Sequence, residues 1–247
     1  MISINFNYAN KFLCKLFFYF LALHFLLFFF LTPAHAVGIK MDRTRIVYYA
    51  GVKGEKLGVK NTSNHAWLVQ ASVVDRSGKE DDSMFVTPPL FRLEPLGENF
   101  LRVVSLDEER RPSDRESLKF MYINAIPSSS PLKSADSQLA VGIAMSIKIF
   151  LRPESLASPG EKVWKSITWY KDRQALKGCN TSPYFLSFNR LTFNGESMDL
   201  NNVPSMLSPF ECVFYGGQGE VKDVHWSLIN DYGGDSGWYA GKVSEFG

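Results

Sequence analysis

The chain has 247 residues, with 27 Lys and Arg against 25 Asp and Glu, a formal net charge of +2. A near-balance of this kind supplies no general basic field, so nucleic acid is excluded as a partner. Three cysteines and four histidines leave little material for metal chemistry, and no metal or other cofactor is expected.

The first element is a leader. Lys11 and Lys15 form a positive start, "LFFYFLALHFLLFFFL" (16–31) is almost wholly apolar, and Ala34-His35-Ala36 places small residues where a signal peptidase reads. Residues 1–36 therefore read as a secretory signal peptide with cleavage after Ala36, and Pro33 fits that reading. An uncleaved membrane anchor is the alternative; with cleavage there is no stable membrane insertion. Removing 36 residues from 247 leaves 211, enough for two domains of about 100 residues each. The leader carries two lysines and no acid, so the remainder holds 25 charges of each sign. Cys14 leaves with it. Cys179 and Cys212 remain, and an even pair in an exported chain points to a disulfide. A metal pair finds no Cys-x-x-Cys, and His65 and His225 lie far apart in sequence.

Short alternating runs then follow one another. "RTRIVYYAG" (43–51), "KLGVKNTSN" (56–64) and "AWLVQASVVD" (66–75) are strand candidates, the last with Trp67, Val69, Ala71 and Val73 on one face. "RSGKEDD" (76–82) reads as a solvated loop. "TPPLFRLEP" (87–95) carries three prolines and should lie on an edge or switch between sheets. "ENFLRVVSL" (98–106) and "SLKFMYINAI" (117–126) are further strands, and "IPSSSPLKSADS" (126–137) is a polar loop. In "LAVGIAMSIKIFLRP" (139–153) one parity is bulky (Leu139, Val141, Ile143, Met145, Ile147), while the other begins with Ala140, Gly142, Ala144 and Ser146 and then reaches Lys148. Periodicity alone makes this a buried strand. "RPESLASPGEK" (152–162) is a hinge. The second half offers "KVWKSITWY" (162–170), "PYFLSFNRLTFNG" (183–195) with an Asn-Gly hairpin turn, "ECVFYGG" (211–217), "VKDVHWSLIND" (221–231) and "GWYAGKVS" (237–244). The sum is all-β, two tandem sandwiches.

No catalytic constellation appears: no Gly-x-Ser-x-Gly, no His-Glu-x-x-His and no phosphate loop. "DEER" (107–110) and "KEDD" (79–82) read as solvated loops, and "DYGGDSG" (231–237) as a turn rather than a calcium loop. The chain does not read as an enzyme.

Five segments in order, "MDRTRIVY" (41–48), "TPPLFRLEP" (87–95), "DRESLKFMYINAIP" (114–127), "IKIFLRP" (147–153) and "INDYGG" (229–234), resemble the PapD-like periplasmic chaperones of chaperone–usher pilus assembly. The resemblance implies two immunoglobulin-like domains in an L or boomerang arrangement. It divides the chain into an N-terminal domain, 37–155, and a C-terminal domain, 156–247. It implies a periplasmic chaperone that binds and folds pilus subunits lacking a final strand, by donor-strand complementation, prevents their aggregation and delivers them to an outer-membrane usher. The donor would be "QLAVGIAMSIKIF" (138–150), with Leu139, Val141, Ile143, Met145 and Ile147 filling the subunit's groove. A free donor strand also allows a self-capping homodimer.

By the same resemblance Arg45 and Lys148 would bind the subunit's C-terminal carboxylate. On their own residues, Arg45 reads as a surface ion pair and Lys148 as a solvated edge-strand gatekeeper. Glu116, Arg152 and Asp231 match an interdomain salt-bridge group, and Arg92 and Arg102 match framework arginines. The loop before the donor strand resembles the short-loop class of the family. Tyr122 stands where the family usually has Asn, and Ala140 where it usually has Gln. The competing reading is a secreted sandwich adhesin or carbohydrate-binding module using Trp164, Trp169 or Trp238.

Overall fold

The computed structural model describes residues 15–22, 24–25, 38–106, 111–128, 141–172, 175–216 and 219–245. Residues 1–37 and 38–247 form separate compact units. In the first, residues 15–22 and 24–25 are helical. Among the described residues, no helix is long and apolar enough to cross a membrane. The acidic run 107–110, the loop 129–138 and the first donor positions, Leu139 and Ala140, lie outside the described residues. The short-loop assignment falls on that same segment.

Residues 38–152 build the first sandwich. Its strands are β1 (Ile39–Met41), β2 (Arg45–Tyr49), β3 (Glu55–Asn61), β4 (Trp67–Val74), β5 (Met84–Thr87), β6 (Leu90–Leu93), β7 (Glu98–Ser105), β8 (Ser117–Pro127) and β9 (Ile143–Arg152). One sheet runs β1-β3-β7-β5 and the other β2-β9-β8-β4-β6. Alternation sets the core: Trp67, Val69, Ala71 and Val73 point inward from β4 and are buried, with Met121, Ile123 and Ala125 from β8 and Leu57, Leu101 and Val103 from the facing sheet. Each large aliphatic side chain so buried stabilises the fold by roughly 1.5–3 kcal/mol.

The two sheets exchange strands at their edges, and proline chemistry explains one exchange. β5 is an edge of the first sheet and β6 an edge of the second. Pro88 and Pro89 lie between them, where no ladder donor is needed. β1 pairs with β3 in one sheet, and β2 then pairs with β9 in the other.

The second sandwich contains a short helix α1 (Glu161–Trp164) and strands β10 (Ile167–Asp172), β11 (Ala175–Asn180), β12 (Leu186–Phe193), β13 (Glu196–Ser197), β14 (Met206–Leu207), β15 (Cys212–Tyr215), β16 (Asp223–Ile229) and β17 (Asp235–Glu245). The helix corrects the expectation of strand from 162. Lys162, Val163 and Trp164 form a single turn, and the ladder begins only at Ile167. Strand β11 was not legible, because "ALKGCN" has no clean alternation. β17 carries the chain between layers: residues 235–242 pair with β16 and 243–245 with β10. Gly241 sits at that crossing, where a Cβ would lie 3.1–3.2 Å from the rings of Trp226 and Trp169, the largest core side chains. The β12–β13 turn uses Asn194 at φ 51° and Gly195 at φ 85°, as a tight hairpin requires.

Both sandwiches share one device that sequence reading passed over. Asn61-Thr62-Ser63 and Asn180-Thr181-Ser182 each follow the same pattern of buried contacts. The Asn61 amide donates to the carbonyls of His65 and Glu94, both at 2.8 Å, while its oxygen accepts from Ser63. Asn180 donates to Tyr184 and Ser208 carbonyls at 2.7 and 2.9 Å and accepts from Ser182. Each side chain replaces ladder bonds where a strand ends, so the buried backbone groups stay satisfied.

Cys179 and Cys212 form a disulfide joining β11 to β15, with a sequence separation of 33 residues. A loop of this length gives about 3–4 kcal/mol on the chain-entropy model. Cys212→Ala should therefore lower the unfolding free energy by about that amount in denaturant titration. Reductant should produce the same loss in the parent and none in the variant.

Candidate binding edge and interdomain cluster

Strand β9 has two neighbours, but not along its whole length. β8 pairs with it from Ile143 to Leu151. On the opposite side β2 runs parallel to it only from Lys148 to Arg152, with Arg45 opposite Lys148 and Tyr49 opposite Arg152. Among the described residues, no strand pairs with that side of Ile143–Ile147. Half of a central strand is thus an open edge, with backbone donors and acceptors free to take another strand.

The side chains of this half correct part of the sequence reading. The bulky parity points toward the protein's own core, not away from it. Ile147 is 1% exposed inside that core, among Met121 and Ile149, so it is not available to fill another protein's groove. Ile143 and Met145 are half-buried at the rim of the same core. Val141, just before the strand, is 65% exposed. The small parity, Ala144 and Ser146, lies on the outer face, opposite Asn124 and Tyr122 of β8. Burial thus falls along one parity from Ile147 through Met145 and Ile143 to Val141.

At the end of the open edge stand two cations on adjacent strands in register. Arg45 is buried; its Nη1 donates to the Ile229 carbonyl at 3.0 Å, its guanidinium lies 5.3 Å from the Phe150 ring, and its buried Nε has no acceptor among the described residues. Burial lowers the Arg45 guanidinium, opposed by Asp231 and Glu116. Lys148 is half-buried, and its ammonium is lowered first by burial and then by Arg45. Among the described residues neither cation is in an ion pair, and a carboxylate reaching both would accept charge-assisted hydrogen bonds.

Beyond the cations, Arg152 joins the two sandwiches. It is 2% exposed. Nε donates to Glu116 Oε1 at 2.8 Å and Nη2 lies 2.7 Å from the same oxygen, while Nη1 and Nη2 donate to Asp231 at 2.6 and 2.9 Å. Nη1 also reaches the Tyr49 hydroxyl at 3.0 Å, and the rings of Tyr49 and Tyr184 each lie 5.3 Å from the guanidinium. Glu116 Oε2 accepts the Phe185 N–H at 2.8 Å, and the Glu116 N–H donates to the Pro183 carbonyl at 2.9 Å. Burial raises the Glu116 carboxyl, against the pull of Arg152 and Phe185. Burial would lower Arg152, but Asp231 and Glu116 together raise it. Each carboxylate oxygen of Glu116 and Asp231 accepts a hydrogen bond, the condition under which a buried ion pair is tolerated. The contributions of Phe185 and Pro183 are backbone groups, which leave no mark in a sequence, and Tyr49 and Tyr184 look like ordinary strand aromatics.

The remaining residues sort themselves. Arg92 pairs with Glu94 at 2.7 Å on the surface, and Arg102 donates to the Lys53 carbonyl at 3.1 Å. Asp81, expected in a solvated loop, is instead buried against Lys119; burial would raise its carboxyl, but Lys119 and Ser83 outweigh it and hold it below the ordinary range. Of the aromatics a glycan site would need, Trp169 is in the core, Trp164 packs on that core, and Trp238 carries the Arg190 guanidinium 4.5 Å above its ring. Arg152→Ala should cost about 3–5 kcal/mol, because it strands two carboxylates, one of them buried. The check is equilibrium unfolding with probes in each sandwich, whose transitions should separate.

The chain matches the model for the N-terminal domain of PapD, a pili and flagellar-assembly chaperone, over residues 38–157, and the C-terminal PapD domain over 162–237. It is 32% identical to chaperone protein FimC of Escherichia coli K12, covering 79% of this chain and 80% of that one. It is 30% identical to chaperone protein FocC of Escherichia coli, covering 85% and 91%. Among solved structures it is similar to a chain of the Salmonella enterica complex of SafA pilin with the SafB chaperone, at 29% identity and a TM-score of 0.75, over 84% of this chain and 97% of that one. The paired domains, the tandem sandwiches and the extent of these matches make one conclusion: the chain belongs to the PapD-like family of pilus-assembly chaperones.

Proposed function

We propose that this protein is a periplasmic chaperone for pilus subunits, acting by donor-strand complementation. The observation that carries the reading is the open edge of β9 ending at Arg45 and Lys148. A subunit strand added beside residues 143–147 would continue the line of β2 and stop where β2 begins. Its terminal carboxylate would then meet the two cations, and that contact would fix the register of the added strand.

The apolar part of the reading is narrower than periodicity alone implies. Val141, Ile143 and Met145, with Leu139 before them, would fill the subunit's groove, while Ile147 closes the chaperone's own core. The two proteins would share one continuous core across the rim. Burial and pairing provide the free energy, so no nucleotide or metal is required, and the protein is read as non-catalytic. Support for the partner class comes from the relatives: SafB is in complex with the SafA pilin, and FimC and FocC are chaperone proteins. Residues 1–36 act as the signal peptide, residues 37–155 and 156–247 are the two domains, and an outer-membrane usher receives the loaded chaperone.

Lys148→Ala and Arg45→Ala should each weaken subunit binding by about 2 kcal/mol, roughly thirtyfold, with the chaperone still folded. Co-purification of subunits from the periplasm checks this; full recovery with Lys148→Ala would refute the anchor. Binding should also depend on alkaline pH. In the free protein the Lys148 pKa is lowered from 10.5, whereas a bound carboxylate favours the ammonium and raises it. The complex therefore holds the proton more tightly. Affinity is full below the free-state pKa and falls as pH rises through it, before an ordinary lysine would titrate. Calorimetry across that range, with Lys148→Arg as the flat control, measures the effect.

A further inference from the structure

The sheet β1-β3-β7-β5 turns one face to the core and the other to solvent. The strand register lays out the outer face in rows. Lys60 of β3 lies between Lys40 of β1 and Glu98 of β7. Phe100 follows on β7, beside Gly58. Arg102 comes next, flanked by Lys56 and Thr87, and then Val104 beside Phe85. Cationic and apolar rows therefore alternate across the sheet. Phe100 is 53% exposed and Phe85 41%, so two aromatic rings meet water between the cations.

The cations also face one another. Lys40 stands directly opposite Lys60, and Lys56 directly opposite Arg102. Like charges in opposed positions destabilise a ladder. Among the described residues no ion pair includes Lys40, Lys56 or Lys60. Arg102 donates to the Lys53 carbonyl at 3.1 Å, which leaves its charge uncancelled. Two acids share the face: Glu98, and Asp42, whose carboxylate lies over Gly58 and 3.6 Å from Arg43. An anionic cover would relieve both opposed pairs and would take the two rings out of water with it.

We propose that this face docks the protein reversibly on an anionic lipid surface, with Phe85 and Phe100 entering the headgroup layer and the four cations meeting lipid phosphates. No strand or helix is inserted. Three of the four cations are lysines, whose flexible stems and point charges suit mobile headgroups, whereas a fixed carboxylate is matched better by the fork of an arginine. Aromatic rings among basic residues are the composition of an interfacial membrane contact. The order of the chain favours the same occupant. The apolar run 16–31 precedes β1, and β1 is an edge strand of this sheet. A chain leaving a membrane through that run enters the fold on this sheet. β9 belongs to the other sheet, so a docked chaperone keeps its open edge free.

The test is sedimentation of the protein, recovered from the periplasm, with vesicles of phosphatidylcholine alone or mixed with phosphatidylglycerol. The protein should bind the anionic vesicles and not the neutral ones. Binding should fade as salt approaches about 1 M, where the screening length is about 3 Å. Lys56→Gln combined with Lys60→Gln should weaken it about thirtyfold, roughly fivefold for each charge. Lys162→Gln combined with Lys222→Gln makes the same change of net charge on the second sandwich and should leave it unchanged. Phe85→Ser combined with Phe100→Ser should weaken it about tenfold. All three variants should recover subunits as the parent does, which shows that they fold and keeps the client site separate from this one. Equal binding to both kinds of vesicle, equal losses in the two lysine pairs, or no loss in the phenylalanine pair overturns the proposal. So does binding to polyglutamate without binding to anionic vesicles, since the occupant would then be an acidic protein segment.

Discussion

Arg152 is the residue on which the arrangement of this molecule depends. It ends the strand that carries the open edge, and it is buried between a carboxylate of the first sandwich and one of the second. Burying two charges beside a half-buried third is costly unless each is paired. The geometry meets that condition by drawing in the Phe185 N–H and the Tyr49 hydroxyl. Because the pairing needs groups from both sandwiches, any loosening between them exposes unpaired charge. The interface is held by that penalty more than by the attraction of any one pair.

The same strand then carries three environments in ten residues. Arg152 lies in the interdomain cluster, Ile147, Ile149 and Leu151 lie in the core, and Ile143 and Met145 lie at its rim. Parity is constant throughout, so the change cannot come from the strand itself. It comes from the neighbours. β2 covers only the second half of β9. An edge and a core are built from one alternating sequence by ending a neighbouring strand early.

Placing Arg45 at the first residue of β2 has a consequence for charge. The strand's start is also the end of the open edge, so the cation lies where an added chain must stop. Lys148, one strand over, shares that position. Burial lowers both cations, and Arg45 lowers Lys148 further. The turn after β16, with Gly233 seated on Thr44, brings the second sandwich to the same point.

Much of this was legible in the residues. Alternation located most strands, Pro88 and Pro89 marked the sheet exchange, Asn194-Gly195 marked the hairpin, and the even cysteine pair beyond residue 36 marked the disulfide. Motif resemblance, not periodicity, brought Glu116, Arg152 and Asp231 together as a group. Three things escaped. β11 has no alternation to read, the paired Asn-Thr-Ser turns look like ordinary loops, and Asp81 sits in a charge run that suggests water. What periodicity left open was direction. Period two fixes which side chains share a face of β9, because a strand has only two faces. Which face is core, and how much of the strand is left as an edge, depends on the facing sheet and on where β2 begins. Those are relations between segments a hundred residues apart, and only the tertiary structure decides them.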